Sequence, residues 1–156
     1  MTTELPSTED LDLIEQIQRA AAAGVEAGDV DRLMAMFEES EDTFAFDFGP
    51  PRAVTTHQLR RNFTSLLSEM DGPMTCEYQE IHPQLLAPDA AWSWAIMHVV
   101  FRARGGAAID LVVRVTDIWR KFDGQWRAIH EHTSLPVDVM TGIADLQSKA
   151  VQKTTT

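Results

Sequence analysis

The sequence predicts an α+β fold, with helices first and an antiparallel sheet after them. Three observations carry that expectation. Apolar residues recur at helical spacing up to Met70, they alternate with polar ones from Met74 onward, and tight-turn pairs separate the alternating runs. Elements in that order place the helices on one face of a curved sheet.

Leu11, Ile14, Ile17, Ala21 and Val25 mark one face of a helix over Asp10 to Ala27, and Gly28 stands where such a helix ends. Asp29 is placed to cap a second, short helix carrying Val30, Leu33, Met34 and Phe37. Thr43 to Phe48 reads as a strand, stopped by Gly49, Pro50 and Pro51. Thr55 or Thr56 can cap a third helix over His57 to Met70, whose apolar side holds Leu59, Phe63, Leu66 and Leu67. Four strands follow, over Thr75 to Leu86, Ala91 to Arg104, Ala107 to Phe122 and Gln125 to Leu135. Gly105-Gly106 and Asp123-Gly124 fall at the hairpin turns, and both pairs tolerate positive φ. Pro136 ends the last strand, and a short helix around Asp138 to Lys149 is expected after it. Residues 1–8 and 152–156 read as polar, aperiodic tails around one domain over residues 9–151.

At 156 residues the chain can bury one core and is too short for two comfortable ones. Its 44% hydrophobic and 24% charged residues exclude a disordered chain and a disulfide scaffold. No apolar run approaches a membrane span, and Met1 to Asp12 is acidic where a signal peptide needs a basic start. Cys76 is the single cysteine and can form no internal disulfide, so a soluble cytoplasmic protein is the expectation. The net charge of −11 resides wholly in residues 1–50, where 13 acidic groups face only Arg19 and Arg32. A phosphate-binding surface needs clustered Lys and Arg, which argues against nucleic acid as a partner. The plain reading of the charge is a solvated helical face.

Two stretches resemble the NTF2-like superfamily, in its SnoaL-like and ketosteroid-isomerase-like branch. The first is Ala27-Gly28-Asp29-Val30-Asp31, then Leu33-Met34-Ala35-Met36-Phe37, then Phe44-Ala45-Phe46-Asp47. It is similar to the isomerases' second helix and first strand. The second runs from Thr116-Asp117-Ile118-Trp119 through Asp123-Gly124-Gln125-Trp126 to His130-Glu131-His132-Thr133-Ser134. It resembles the terminal hairpin of SnoaL-like proteins and of the calcium/calmodulin-dependent kinase association domain. The resemblance spans nearly the whole chain in element order and implies an NTF2-like cone, helices packed on a strongly curved antiparallel sheet. It specifies chemistry poorly, because that fold hosts isomerases, cyclases, dehydratases, hydrolases and non-catalytic hubs. By resemblance Asp47 matches the isomerases' general base. Their oxyanion-stabilising tyrosine matches Ala21 here, and the arginines of the kinase hub's cavity match Met97, Asp117 and Thr133.

Strand alternation sorts the sheet residues into two faces. One holds Ala95, Met97, Val99 and Phe101, then Leu111, Val113, Val115, Asp117 and Trp119, then Ile129, Glu131 and Thr133. It is nearly continuous apolar lining broken by two carboxylates. The other holds Trp92, Trp94, Ile96 and His98, then Arg114, Thr116 and Ile118, then Trp126, His130, His132 and Ser134. By resemblance the first face lines a cavity and the second meets a partner subunit. The candidate ligand-binding residues are therefore Met97, Phe101, Val115, Asp117, Trp119, Glu131 and Thr133. A β-bulge in any strand would exchange these assignments. Trp94, His98, Arg114, His130 and His132 form a stripe too apolar to leave in water, and it is the expected interface of a two-fold homodimer.

Asp47 lies between Phe46 and Phe48 and has two readings. It is either a general base whose pKa is raised in an apolar cavity, or a strand-end aspartate bonded to the Gly49-Pro50 turn. Asp117 and Glu131 are either an acid pair that orients a substrate or shares a proton, or surface partners of Arg127, Arg102 or Arg104. His130 and His132 have metal-like spacing but lack a third and fourth ligand in sequence, so no metal is expected. No phosphate loop, Gly-x-Ser-x-Gly elbow or His-Glu-x-x-His motif occurs. The expectation is a cofactor-free homodimer that takes a small hydrophobic, cyclic or polyketide-like molecule. If catalytic, it performs acid/base isomerisation, cyclisation or dehydration with Asp47 as base. A non-catalytic binding or association module of the same fold is the alternative.

Overall fold

The computed structural model describes residues 8–49, 51 and 53–149. The expected tails lie outside these residues, except that Thr8 opens the first helix. Helix α1 (Thr8–Ala27) buries Ile14, Gln18, Ala21, Ala22 and Val25. Gly28, at φ +68°, reverses the chain, and Asp29 then caps α2 (Val30–Met34) by accepting the Arg32 N–H at 3.0 Å. The two helices nearly touch at Gly24. A Cβ built there would lie 2.8 Å from the Leu33 backbone nitrogen, so the position has no room for a side chain.

Two short strands follow, β1 (Phe44–Phe46) and β2 (Val54–Thr55), then α3 (Thr56–Glu69). Helix α3 opens on a capping box in which Thr55 Oγ1 accepts the Gln58 N–H and Gln58 Oε1 accepts the Thr55 N–H. The long strands are β3 (Thr75–Ala87), β4 (Ala90–Arg102), β5 (Ala108–Phe122) and β6 (Gln125–Ser134). They form the expected antiparallel meander, and the six-stranded sheet has the order β2-β1-β6-β5-β4-β3. Strand β1 joins it parallel to β6, pairing Phe44 with His130 and Phe46 with His132. The Asp123-Gly124 turn has positive φ at both residues, 49° and 80°, which fits a tight hairpin. The helices lie across one face of this sheet, and the fold is α+β as expected. No helix among the described residues is long and apolar enough to cross a membrane.

Two expectations fail for identifiable reasons. The segment after Pro136 is not helical but a small hairpin of β7 (Val137–Asp138) and β8 (Ile143–Ala144). Its apolar residues have nothing to pack on, with Val139 90% and Met140 89% exposed, and Gly142 sits at φ +72°. Without a buried stripe a helix there gains nothing from burial. The second failure concerns β6, which carries a bulge. Ile118 pairs with His130 but Trp119 pairs with Ala128, leaving Ile129 as the extra residue. The alternation before Ile129 is thereby reversed. Trp126 turns inward, is buried, and donates its indole N–H to Asp10 at 2.8 Å. Lys121 bonds the same carboxylate and stands 4.9 Å over the Trp126 ring, pinning the start of α1 to the last hairpin. These bonds hold the Asp10 carboxyl below the usual carboxylate range.

Candidate active site

Asp117 on β5 and Glu131 on β6 are direct cross-strand partners on the helix-covered face. Asp117 is fully buried. From α1 Gln18 donates to its Oδ2 at 2.7 Å, and from β4 Ser93 donates to the same oxygen at 3.3 Å. The Trp119 indole N–H donates in turn to Ser93 Oγ at 2.9 Å. The side chains of Arg127, Arg102 and Arg104 go elsewhere: to Glu38, to the Gly106 carbonyl and to the Ser68 carbonyl. The acid pair therefore meets each other and not the surface arginines. Two buried acceptors, Asp117 Oδ1 and Gln18 Oε1, have no donor.

Burial dominates the electrostatics here. It pushes the Asp117 carboxyl up to about 7 against the lowering effect of the Ser93 and Gln18 bonds. Glu131 is pushed well above the usual range, first by burial and then by repulsion from Asp117 and Asp47. Near neutral pH the two carboxyls share at least one proton between them. Asp47 follows β1 and is also raised by burial, although the Phe48 N–H donates to its Oδ1 at 2.7 Å. Burial is the stronger effect, and the bond runs to the adjacent Phe48 rather than to the Gly49-Pro50 turn. Tyr78 from β3 is held protonated by burial and by the nearby Asp117 and Glu131 charges. Burial also pushes the Cys76 thiol up to about 12, and its sulfur lies 3.4 Å from Met97 Sδ.

These groups surround a cavity of about 70 Å³ between the helices and the sheet. Of the expected site residues, Asp47, Met97, Glu131 and Thr133 line it. Asp117 stands behind Glu131 in the wall. Phe101, Val115 and Trp119 do not reach it. Val115 and Trp119 are sealed into the core, the indole filling the space beneath α1 with its N–H spent on Ser93. Phe101 lies farther along β4 than Val99, the last wall residue of that strand, and packs against the core. The sequence reading missed Gln18, Tyr78 and Ser93. Gln18 sits on the buried stripe between Ile14 and Ala22, and a polar residue on such a stripe was a usable signal. A separate surface groove of about 770 Å³ runs between α1, α2 and the start of β6.

The opposite face of the sheet carries Trp94, Arg114, His130 and His132, with His98 at one side bonded to Asp110 at 2.9 Å. His82, Trp94, Thr116, His132 and Phe46 are successive register partners across five strands. His82 stacks on Trp94 at 4.0 Å. His130 donates its Nδ1–H to the Phe44 carbonyl, 2.9 Å away, and packs on the Phe44 ring at 4.6 Å.

The family model of the SnoaL-like domain matches residues 14–138. The chain belongs to the SnoaL-like family. No curated protein matches it in sequence. An NTF2-like protein of unknown function from Pseudomonas putida KT2440 superposes with a TM-score of 0.78 at 23% identity, covering 92% of this chain and 99% of that one. A ketosteroid isomerase-like protein from Erwinia carotovora atroseptica gives 0.67 at 20% identity, over 82% and 97%. A candidate scytalone dehydratase from Novosphingobium aromaticivorans gives 0.71 at 15% identity, over 81% and 83%. These likenesses show the NTF2-like fold. In this SnoaL-like chain α1 offers the cavity only small or apolar side chains, Ala21, Ala22 and Val25.

Proposed function

We propose that this SnoaL-like protein binds a small hydrophobic molecule, cyclic or polyketide-like, in its cavity and moves a proton on it without a cofactor. Asp47 takes and returns the proton, while the Glu131–Asp117 pair holds the polar end of the molecule. One arrangement supports this reading: two carboxyl groups with raised pKa, Asp47 and Glu131, line a largely apolar cavity, and a third, Asp117, backs Glu131. A general base works best with a pKa drawn towards the operating pH, and burial draws Asp47 that way. Isomerisation, cyclisation and dehydration through an enol all need such a base. Ligand pockets are typically about 300–1,000 Å³, so the wall has to open on binding. Phe48, 43% exposed, is the wall residue free to swing outward.

The test is deuterium exchange at the carbon beside the carbonyl in a panel of cyclic ketones, followed by NMR in heavy water. Wild-type protein should catalyse exchange, and Asp47→Asn should bind the same ketones without doing so. Binding without any exchange above the variant's level would leave the non-catalytic reading. A specific observation favours that alternative of an association module: the outer sheet face leaves Phe44 42% and Ile118 41% exposed. We accordingly propose a homodimer through the Trp94, His98, Arg114, His130 and His132 face. Light scattering that gives the monomer mass at micromolar concentration would remove it. A cytoplasmic location fits the free, buried thiol of Cys76.

A further inference from the structure

We propose that the surface groove between α1, α2 and the start of β6 is the second half of the ligand site. Its occupant is an unbranched, uncharged apolar chain carried by the molecule whose polar head lies in the cavity. The inference rests on the cavity being a binding site and specifies the shape of what enters it. Volume is the first reason. A dry apolar cavity needs about 150 Å³ to hold one benzene-sized ring, and this one has about 70 Å³. The groove adds about 770 Å³, which brings the two together to the scale of ordinary ligand pockets, roughly 300–1,000 Å³.

Adjacency is the second reason and is independent of volume. Among the described residues Phe37 alone lines both spaces. On α1 one four-residue stripe runs from the groove into the cavity, with Leu13 and Ile17 in the first and Ala21 and Val25 in the second. The backbone around Phe37 is fixed to β6. The Ala128 N–H donates to the Met36 carbonyl at 2.9 Å, and the Glu38 N–H donates to the Ala128 carbonyl at 3.0 Å. The partition is thus one side chain, and a change of its rotamer joins the two spaces. Phe48 borders the cavity and not the groove, so its swing admits the molecule from solvent, whereas that of Phe37 makes room for the chain. The chemistry of the groove is the third reason. Leu13, Ile17, Met34 and the Trp126 ring give it an apolar surface, and Leu13 is left 41% exposed there. The Trp126 indole N–H is spent on Asp10. Both rim cations are held by carboxylates of the same rim, Arg127 by Glu38 at 2.8 Å and Arg60 by Asp31 and Glu39. The groove therefore offers burial to an uncharged chain and no free cation to an anion.

Titration calorimetry on the full chain compares cyclohexanones that carry a methyl, propyl or pentyl chain on the carbon opposite the carbonyl. Affinity should rise about fourfold for each added methylene, the scale of burying one CH₂. Ala35 lines the groove but not the cavity and is exposed at the end of α2, so Ala35→Trp fills the groove without entering the core. That variant should bring the propyl and pentyl ketones back to the affinity of the methyl one. In the wild-type protein the pentyl ketone should also shift the NMR resonance of the Trp126 indole N–H, and the methyl ketone should not. Equal affinities across the series in the wild-type protein would overturn the inference. So would an Ala35→Trp variant that keeps the gain, since the chain would then leave past Phe48. In either case binding of the methyl ketone leaves the cavity reading standing. If no member of the series binds, the cavity reading itself fails and takes this one with it.

Discussion

Asp117→Asn tests the electrostatics of the site most directly. In the unfolded chain the Asp117 carboxyl ionises near its ordinary value of 3.8, whereas in the folded protein it resists until about 7. Ionisation in place therefore costs stability, and that cost grows as pH climbs from the unfolded value through the folded one. The full difference corresponds to about 4 kcal/mol, of which roughly 2 kcal/mol accrues between pH 5 and pH 7. Asp117 has no exposed surface, so solvent does not screen this cost. Asparagine keeps the shape and can still accept from Gln18 and Ser93, but it does not ionise. It also removes the repulsion that raises Glu131, so the neighbour's own cost falls with it. The variant should thus gain on the wild type by roughly 2 kcal/mol across that range. Urea denaturation at several pH values reads this as a divergence in midpoints of about 0.7–2 M, since m is typically about 1–3 kcal/mol per molar for small proteins. Midpoints that run parallel between pH 5 and pH 8 would refute the reasoning, because they would mean that Asp117 titrates as it does in the unfolded chain.

Asp47→Asn should be as stable as the parent or more so near neutral pH, because burial raises the Asp47 carboxyl. Carbon NMR of that carboxyl should give a midpoint above the ordinary aspartate value, and one below it would sink the general-base role. Gly24→Ala forces a Cβ to within 2.8 Å of the Leu33 nitrogen, and the strain should cost about 1–3 kcal/mol. A melting temperature equal to the parent's would show that α1 and α2 can part there. Chelator treatment should change neither the melting temperature nor ligand binding, since His130 and His132 meet a backbone carbonyl and aromatic rings. Stoichiometric zinc lost together with stability would contradict this.

The element order was legible because its signals are local. The stripe from Leu11 to Val25, the Asp29 cap and the Asp123-Gly124 turn each act within a few residues, and each element formed where its signal stood. The resemblance carried by Phe44 to Asp47 and by the final hairpin supplied the family. What stayed hidden depends on groups far apart in the chain. Gln18 and Asp117 are 99 positions apart and meet at 2.7 Å, and no spacing rule connects a helix to a distant strand. The same holds for Tyr78, which lies on a strand whose own alternation is shifted by a bulge between Tyr78 and Glu80. The segment after Pro136 forms a hairpin rather than the expected helix because Val139 and Met140 find nothing to pack on, which depends on distant parts of the fold.

The single unpaired residue at Ile129 decides which chemistry each side of the sheet possesses. Everything in β6 beyond it, Glu131 and Thr133 towards the cavity and His130 and His132 away from it, owes its orientation to that one insertion. Replacing Ile129 by another residue leaves the count, and so the arrangement, intact. Were Ile129 to take a paired place in the ladder while Trp126 held its inward seat, the following residues would exchange sides. The cavity would then receive two imidazoles in place of a carboxyl and a hydroxyl, and the outer surface would receive the acid. In this fold a single bulge thus decides, with no substitution at all, whether carboxyl or imidazole faces the pocket. Among relatives, the presence and place of that bulge are therefore as informative about reactivity as the identity of any residue in the hairpin.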